Sequence, residues 1–215
     1  MTGECPVSAR GRRPVRARRS RFTGAIAGFG SASGTRVVVG RWSQTPWGSF
    51  SDVMVERADG HRLLLAPDAT VAEFVQATYS FDEVAQTPVL VEDTATGWHI
   101  ETDQLDVSLE VGTRTALGRL LQAIPERVAT APWWASAVDP VARVVLRGVR
   151  TRGSAGSDRR EWYAATDVHR ITAVSGTWCG EPLGDLRPVD PPVRFGFSST
   201  PRTPAVTSVV TTVEH

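Results

Sequence analysis

The densest group of residues able to do chemistry is the run Trp162-Tyr163-Ala164-Ala165-Thr166-Asp167-Val168-His169-Arg170. In an extended chain, side chains two positions apart share a face, so Asp167 and His169 point the same way. A carboxylate beside an imidazole can orient it and hold its charge, which is the pairing used for general acid–base catalysis. Cys179, in Gly176-Thr177-Trp178-Cys179-Gly180, is expected across a hairpin from this run, where its thiol would be a nucleophile beside His169. The plainer reading is a strand-end Asp/His pair and a small buried cysteine.

His99, Glu101 and Asp103 alternate along one strand face, and His61 follows a turn. A metal site would need three of them to converge. The spacings HxH, HExxH and CxxC are absent, so no metal site is expected. No Gly-x-Ser-x-Gly elbow occurs, which argues against an ordinary α/β-hydrolase.

All 24 Lys+Arg residues are arginine. The absence of lysine removes Schiff-base chemistry, pyridoxal-phosphate anchoring, the P-loop lysine and lysine-dependent kinase chemistry. Arginine cannot stand in, because it stays protonated at any useful pH. No cofactor is implied. The glycines at 28, 30 and 34 precede the strongly β run Val37-Val38-Val39, whereas a dinucleotide fingerprint would open a helix.

The function expected first is binding of a small, partly apolar or organic-acid-like molecule in a β-barrel-like pocket, and the lysine-independent His/Asp enzyme is the alternative. The chain holds seven tryptophans, and ligand pockets are commonly walled by aromatic side chains. The expected wall draws on Trp98, Trp162 and Tyr163, with Arg36 or Arg194 free to meet an anionic group. The competing reading makes the tryptophans core and rim.

These residues need a scaffold. Phe50 to Tyr79 reads as a hairpin leading into a helix. Ser51, Val53 and Val55 alternate with Phe50, Asp52, Met54 and Glu56, one face drier than the other. Asp59-Gly60 suits the turn, and Leu63-Leu64-Leu65 suits a return strand buried on both faces. Asp68 or Thr70 can cap a helix whose Val71, Phe74, Val75 and Tyr79 form an apolar stripe, and Thr70 to Glu73 matches a capping box. Upstream, Phe22 to Phe29 and Arg36 to Trp42 read as strands around a Ser31–Gly34 turn. Downstream, Ser80 to Thr87 reads as a polar connection.

A three-strand meander over Val89–Val91, Trp98–Glu101 and Leu105–Val111 follows. The second helix is expected over Thr115–Ile124, with Leu117, Leu120, Leu121 and Ile124 facing the core. Pro132-Trp133-Trp134 is an apolar landmark. Val141–Val149 and Glu161–Ala165 are expected as a hairpin joined by a mobile Gly153–Arg159 loop. Short strands at Ile171–Val174, Gly176–Trp178, Val193–Phe197 and Val206–Val213 complete the chain. The fold class is therefore α+β: a mostly antiparallel, barrel-like or strongly curved sheet with two to three short helices.

Charge divides the chain. Residues 1–21 carry seven of the 24 arginines and one of the 23 acids, so residues 22–215 are mildly acidic. The expected organisation is a disordered basic arm over 1–21 and one β-rich domain over 22–215. The arm has three readings: a contact to nucleic acid or an anionic surface, a twin-arginine-like leader at Arg18-Arg19, or a solvated tail or extra residues from an upstream start codon. No stretch approaches the ~20 apolar residues that span a bilayer. With Cys5 in the arm and Cys179 far from it, a disulfide is not expected, which fits a reducing, cytoplasmic setting.

The run Gly34-Thr35-Arg36-Val37-Val38-Val39-Gly40, the Asp52-to-Pro67 hairpin and Pro191-Pro192-Val193-Arg194-Phe195-Gly196-Phe197 resemble segments of uncharacterised bacterial proteins. The layout of many strands with two helices is similar to that of acetoacetate-decarboxylase-like barrels. That resemblance implies binding of, or action on, small organic acids. The catalytic lysine of those barrels has no counterpart here, so decarboxylation is not implied.

Overall fold

From Leu105 to Glu110 the sequence alternates strictly, and the structure follows it: Leu105, Val107 and Leu109 are buried while Asp106, Ser108 and Glu110 are exposed. This is a strand with one face on a core. A computed structural model describes residues 19–125, 152–155, 159–196 and 200–214. In chain order the elements are β1 (Arg19–Ser31), β2 (Arg36–Gln44), β3 (Phe50–Glu56), β4 (Arg62–Ala66), α1 (Ala69–Gln76), β5 (Glu83–Gln86), β6 (Leu90–Asp93), β7 (Gly97–Glu101), β8 (Leu105–Arg114), α2 (Ala116–Gln122), β9 (Arg152–Ala155), β10 (Arg159–Trp178), β11 (Glu181–Pro182), β12 (Leu186–Arg187) and β13 (Ala205–Glu214).

All thirteen strands join one sheet in the order β5-β4-β3-β2-β1-β13-β10-β8-β7-β6, with β9 and β11 on β10 and β12 on β1. The sheet curls into a half-barrel. The pairings are antiparallel except β4 with β5. The expected curved α+β architecture is thus the observed one.

Curling turns one face inward on itself. Phe29, Val37, Val39, Val53, Val55 and Leu65 from β1–β4 share a core with Ile100, Val107 and Leu109 from β7 and β8. Each such side chain, fully buried, contributes roughly 1.5–3 kcal/mol. The outer face is covered as well. Helix α1 lays Val71, Ala72 and Val75 over Leu64 and Ala66. The segment after β12 lays Val189, Val193 and Phe195 over Val38. The expectation of one drier face on β3 therefore needs correction: Asp52 and Glu56 are buried too.

The helix starts follow their caps. Asp68, rather than Thr70, accepts the Val71 N–H at 2.9 Å, and the Thr115 hydroxyl accepts the Gly118 N–H at 3.0 Å. The apolar stripe of α2 departs from expectation: Leu120 is 64% exposed, and Gly118 is the buried residue of the helix.

Several boundaries differ from the sequence reading. β1 begins at Arg19 and pairs Arg19–Arg21 with Thr212–Glu214 of β13, so the expected arm over 1–21 loses its last three residues to the sheet. Phe22 to Phe29 lies in a central strand, between β13 and β2. Residues 83–86 form β5 on the edge of the sheet. Ile171–Val174 and Gly176–Trp178 belong to the single long strand β10. β9 (Arg152–Ala155) takes up residues 153–155 of the expected loop. Val193–Arg194-Phe195 docks without strand pairing: its apolar side chains pack on the sheet, and its backbone bonds to the Glu56 side chain and the Ser80 N–H instead of to a neighbouring strand. Residues 1–18, the Trp133–Trp134 landmark, Val141–Val149 and Phe197 lie outside the described residues.

Candidate functional site

Strand β10 carries most of the residues singled out by their chemistry, and an irregularity within it decides where they point. Its register against β13 shifts between Ala165 and Asp167. One extra residue inverts the alternation beyond it. Tyr163 and Ala165 before the shift, and Val168 and Arg170 after it, therefore line one cavity on the outer face. Asp167 and His169 lie on the inner face, together as expected.

His169 Nε2 is 3.3 Å from Asp167 Oδ2, and His169 Nδ1 is 3.2 Å from the Gly112 carbonyl oxygen. Both ring nitrogens thus face acceptors within the protein. Asp167 also accepts from Arg114 Nε at 2.8 and 3.0 Å, from Gln122 Nε2 at 3.3 Å and from the Val168 N–H at 2.8 Å. Burial pushes the Asp167 carboxyl up, but the Arg114 and Val168 donors and the charges of Arg114 and His169 outweigh it and hold it below its ordinary range. This geometry ties α2 and β8 to β10. It leaves no ring nitrogen directed at a substrate.

Cys179 does not join the cluster. It follows β10 at its far end, exposed in a tight turn with φ 51°. Ten residues of extended chain separate it from His169, about 30 Å of strand. The expected Cys179–His169 pairing fails because Cys179 follows directly on the strand that carries His169 instead of facing it across a hairpin.

The expected aromatic wall is also divided. Strand alternation sends Trp162 and Tyr163 to opposite faces. Trp98 belongs to the inner core, with the Arg41 guanidinium 5.5 Å over its ring. Tyr163 alone of the three reaches the outer-face cavity. Arg36 and Arg194 both pair with Glu56. Arg194 donates from its backbone N–H (2.7 Å) and Nε (3.0 Å) to Glu56, and Arg36 Nη2 lies 3.4 Å from the same carboxylate. Arg36 further donates to the carbonyls of Pro191 and Arg57. The three side chains clamp the 191–194 segment onto β2 and β3.

Each face of the sheet carries a sizeable cavity. The inner-face cleft, about 860 Å³, is wide and of mixed character, its lining including Arg41, Asp93, Gln122 and Asp167 beside Trp98, Leu121 and Ile124. Its charges are already matched. Arg41 holds Asp93 through two hydrogen bonds, at 2.6 and 2.9 Å, and draws that carboxyl below its ordinary range. Asp167 is paired as described.

The outer-face cavity, about 310 Å³, lies between the sheet and the segments that cover it. Ile26, Val38, Met54, Val168 and Val209 form its floor, and Val193, Phe195, Pro201 and Pro204 close over them. Close approach of cover and sheet depends on Gly28, where a Cβ would lie 2.0 Å from Thr200 Oγ1. Tyr79, just beyond α1, and Tyr163 meet inside with hydroxyls 2.5 Å apart. The side chain of Arg170, exposed at the rim, has no ion pair or hydrogen-bond partner among the described residues.

Such a volume and lining lie within the range of small-molecule pockets, roughly 300–1,000 Å³. The fold therefore offers a site able to hold a ligand. Arg170, Tyr79 and Phe195 were not singled out by sequence reasoning. A legible signal for Arg170 was its position one residue past His169, on the opposite face.

Among the described residues, no group of three or more His, Cys, Asp or Glu side chains could hold a metal ion. His99 instead meets Ser108 at 3.1 Å, and His61 meets Glu83 at 3.2 Å. No helix among the described residues is long and apolar enough to cross a membrane. No protein-family model matches the chain, and no curated protein matches it.

Proposed function

We propose that this protein binds a small, largely apolar organic acid in the outer-face cavity. The observation that carries this reading is an apolar cavity of about 310 Å³ with a guanidinium at its rim, Arg170, that is unpaired among the described residues. Apolar walls supply non-directional affinity in proportion to the area removed from water. Arg170, the one cation among the described lining residues, selects the end at which a carboxylate rests. The layout resemblance to barrels that bind small organic acids supports the same class of ligand. The protein's lack of lysine fits binding without covalent attachment through that residue.

Native mass spectrometry of protein purified gently from cell extract tests for a resident molecule, expected as extra mass that leaves on denaturation. Titration with decanoate, followed by displacement of anilinonaphthalene sulfonate fluorescence, tests the class. Decanoate is expected to displace the dye from the wild type, and Arg170→Gln to weaken it about ten-fold, the scale of one charge-assisted hydrogen bond. Absence of binding to the wild type, or unchanged affinity in Arg170→Gln, overturns the reading.

A further inference from the structure

At one end of the outer-face cavity lies a smaller pocket, about 50 Å³, bounded in part by Ile26, Val38, Met54, Tyr79 and Tyr163, which also line the larger one. Its far wall is aromatic. Phe22 stacks on Phe74 with centroids 4.7 Å apart, and Trp42 stands edge-on to Phe22 at 6.1 Å. Among these rings sits Asp52, 3% exposed. The one hydrogen-bond partner of its carboxyl among the described residues is the Trp42 indole N–H, which donates to Oδ1 at 3.0 Å. Gly40 makes room for that bond, since a Cβ there would lie 2.4 Å from Oδ1 and 2.7 Å from the indole nitrogen. The second carboxyl oxygen has no partner among the described residues, in a pocket large enough for a polar group.

A carboxyl buried among aromatic rings is costly unless something meets it. No arginine or histidine is among the described residues that bound this pocket. The strand register sets its position relative to Arg170. Arg170 aligns through Ala205, Gly28 and Val38 with Met54, two residues along β3 from Asp52. Four strand spacings and two residues separate them, roughly 20 Å across the sheet. Arg170 reaches in from one end and Asp52 from the other, leaving a gap that suits an extended chain of medium length.

We infer that Asp52 is a second polar subsite of this cavity and that the ligand is an apolar acid carrying a hydroxyl at its far end. The carboxylate rests at Arg170, and the hydroxyl meets the open oxygen of Asp52. This rests on the reading of the cavity as an organic-acid site. A site built to hydrogen-bond a hydroxyl discriminates against the analogue that lacks it.

The test compares decanoate with ω-hydroxydecanoate by displacement of anilinonaphthalene sulfonate from the wild type, Asp52→Val and Asp52→Asn. The wild type is expected to prefer the hydroxy acid by roughly three- to ten-fold, the range of one neutral hydrogen bond. Asp52→Val should lose the preference while still binding decanoate, and Asp52→Asn, which keeps polar atoms and shape, should retain most of it. Should Asp52→Val fail to fold, the wild-type preference and Asp52→Asn still decide. Equal affinity of the wild type for both acids overturns the Asp52 subsite and leaves the cavity reading intact. Failure of both acids to bind overturns the cavity reading and the subsite with it.

Discussion

Arg194 grips Glu56 twice, with its backbone N–H at 2.7 Å from Oε2 and its Nε at 3.0 Å from Oε1. Glu56 has no exposed surface, while the Arg194 side chain is largely outside. The contact pins a segment 138 residues away in sequence onto β3. Glu56→Ala leaves Arg36 buried without its anion and frees the cover of the cavity. We expect a loss of about 3–5 kcal/mol in urea unfolding. Arg194→Ala keeps the charge partner Arg36 and the backbone donor, so its loss should be smaller. A Glu56→Ala cost under about 1 kcal/mol would show that the clamp is incidental.

Burial pushes the Asp52 carboxyl up to about 7, against the Trp42 hydrogen bond, which pulls it down. An unfolded aspartate titrates near 3.9. The folded state therefore binds more protons between about pH 4 and 7, and stability must fall as pH rises through that window. The decline attributable to this group is on the order of 4 kcal/mol at most. Thermal unfolding of the wild type and Asp52→Asn across that range should show the slope in the former and its loss in the latter. Parallel profiles would refute the assignment.

Ala165 faces the outer cavity and carries only a methyl group. Ala165→Phe should fill part of the space that a ligand needs. The expected result is loss of decanoate and dye binding, with stability changed by about 1 kcal/mol or less, since filling a cavity offsets crowding. Undiminished binding in a folded variant would place the ligand elsewhere.

Asp167 joins Arg114, Gln122 and His169, so its removal should cost more than removal of His169. We expect about 2–3 kcal/mol for Asp167→Ala, and about 1 kcal/mol for His169→Ala. Because the folded carboxyl lies below its ordinary range, its contribution is present above that range and disappears as pH falls through the folded value. Denaturant titrations at neutral and acid pH read both. Neither variant should alter decanoate affinity, since both side chains lie on the inner face.

Cys179 is exposed in its turn, far along β10 from Asp167 and His169. Alkylation by N-ethylmaleimide should proceed in the folded protein, as peptide mapping by mass spectrometry would show. The modified protein should bind decanoate as before. Protection of Cys179 by bound ligand would contradict the placement of the cavity.

Local order is legible in the amino-acid sequence. Asp68 and Thr115 announce their helices because a short acceptor side chain can satisfy first-turn N–H groups. The β3–β4 hairpin follows from two β runs around Asp59-Gly60. The pairing of Asp167 with His169 follows from strand periodicity, because both lie beyond the register shift. The same periodicity separates Trp162 from Tyr163, adjacent residues of one strand.

What the sequence determined by itself was the chemistry excluded by lacking lysine, the curved antiparallel class and the parity of side chains along each strand. Parity names two faces but does not say which face receives a cover. Asp52 and Glu56 look like the wet side of β3 until α1 and the 189–195 segment are laid across them. Arg36 and Arg194 look available to a ligand until Glu56 lies between them. Only the tertiary structure decided these, because burial is set by segments distant along the chain, and such contacts leave no period in the local sequence.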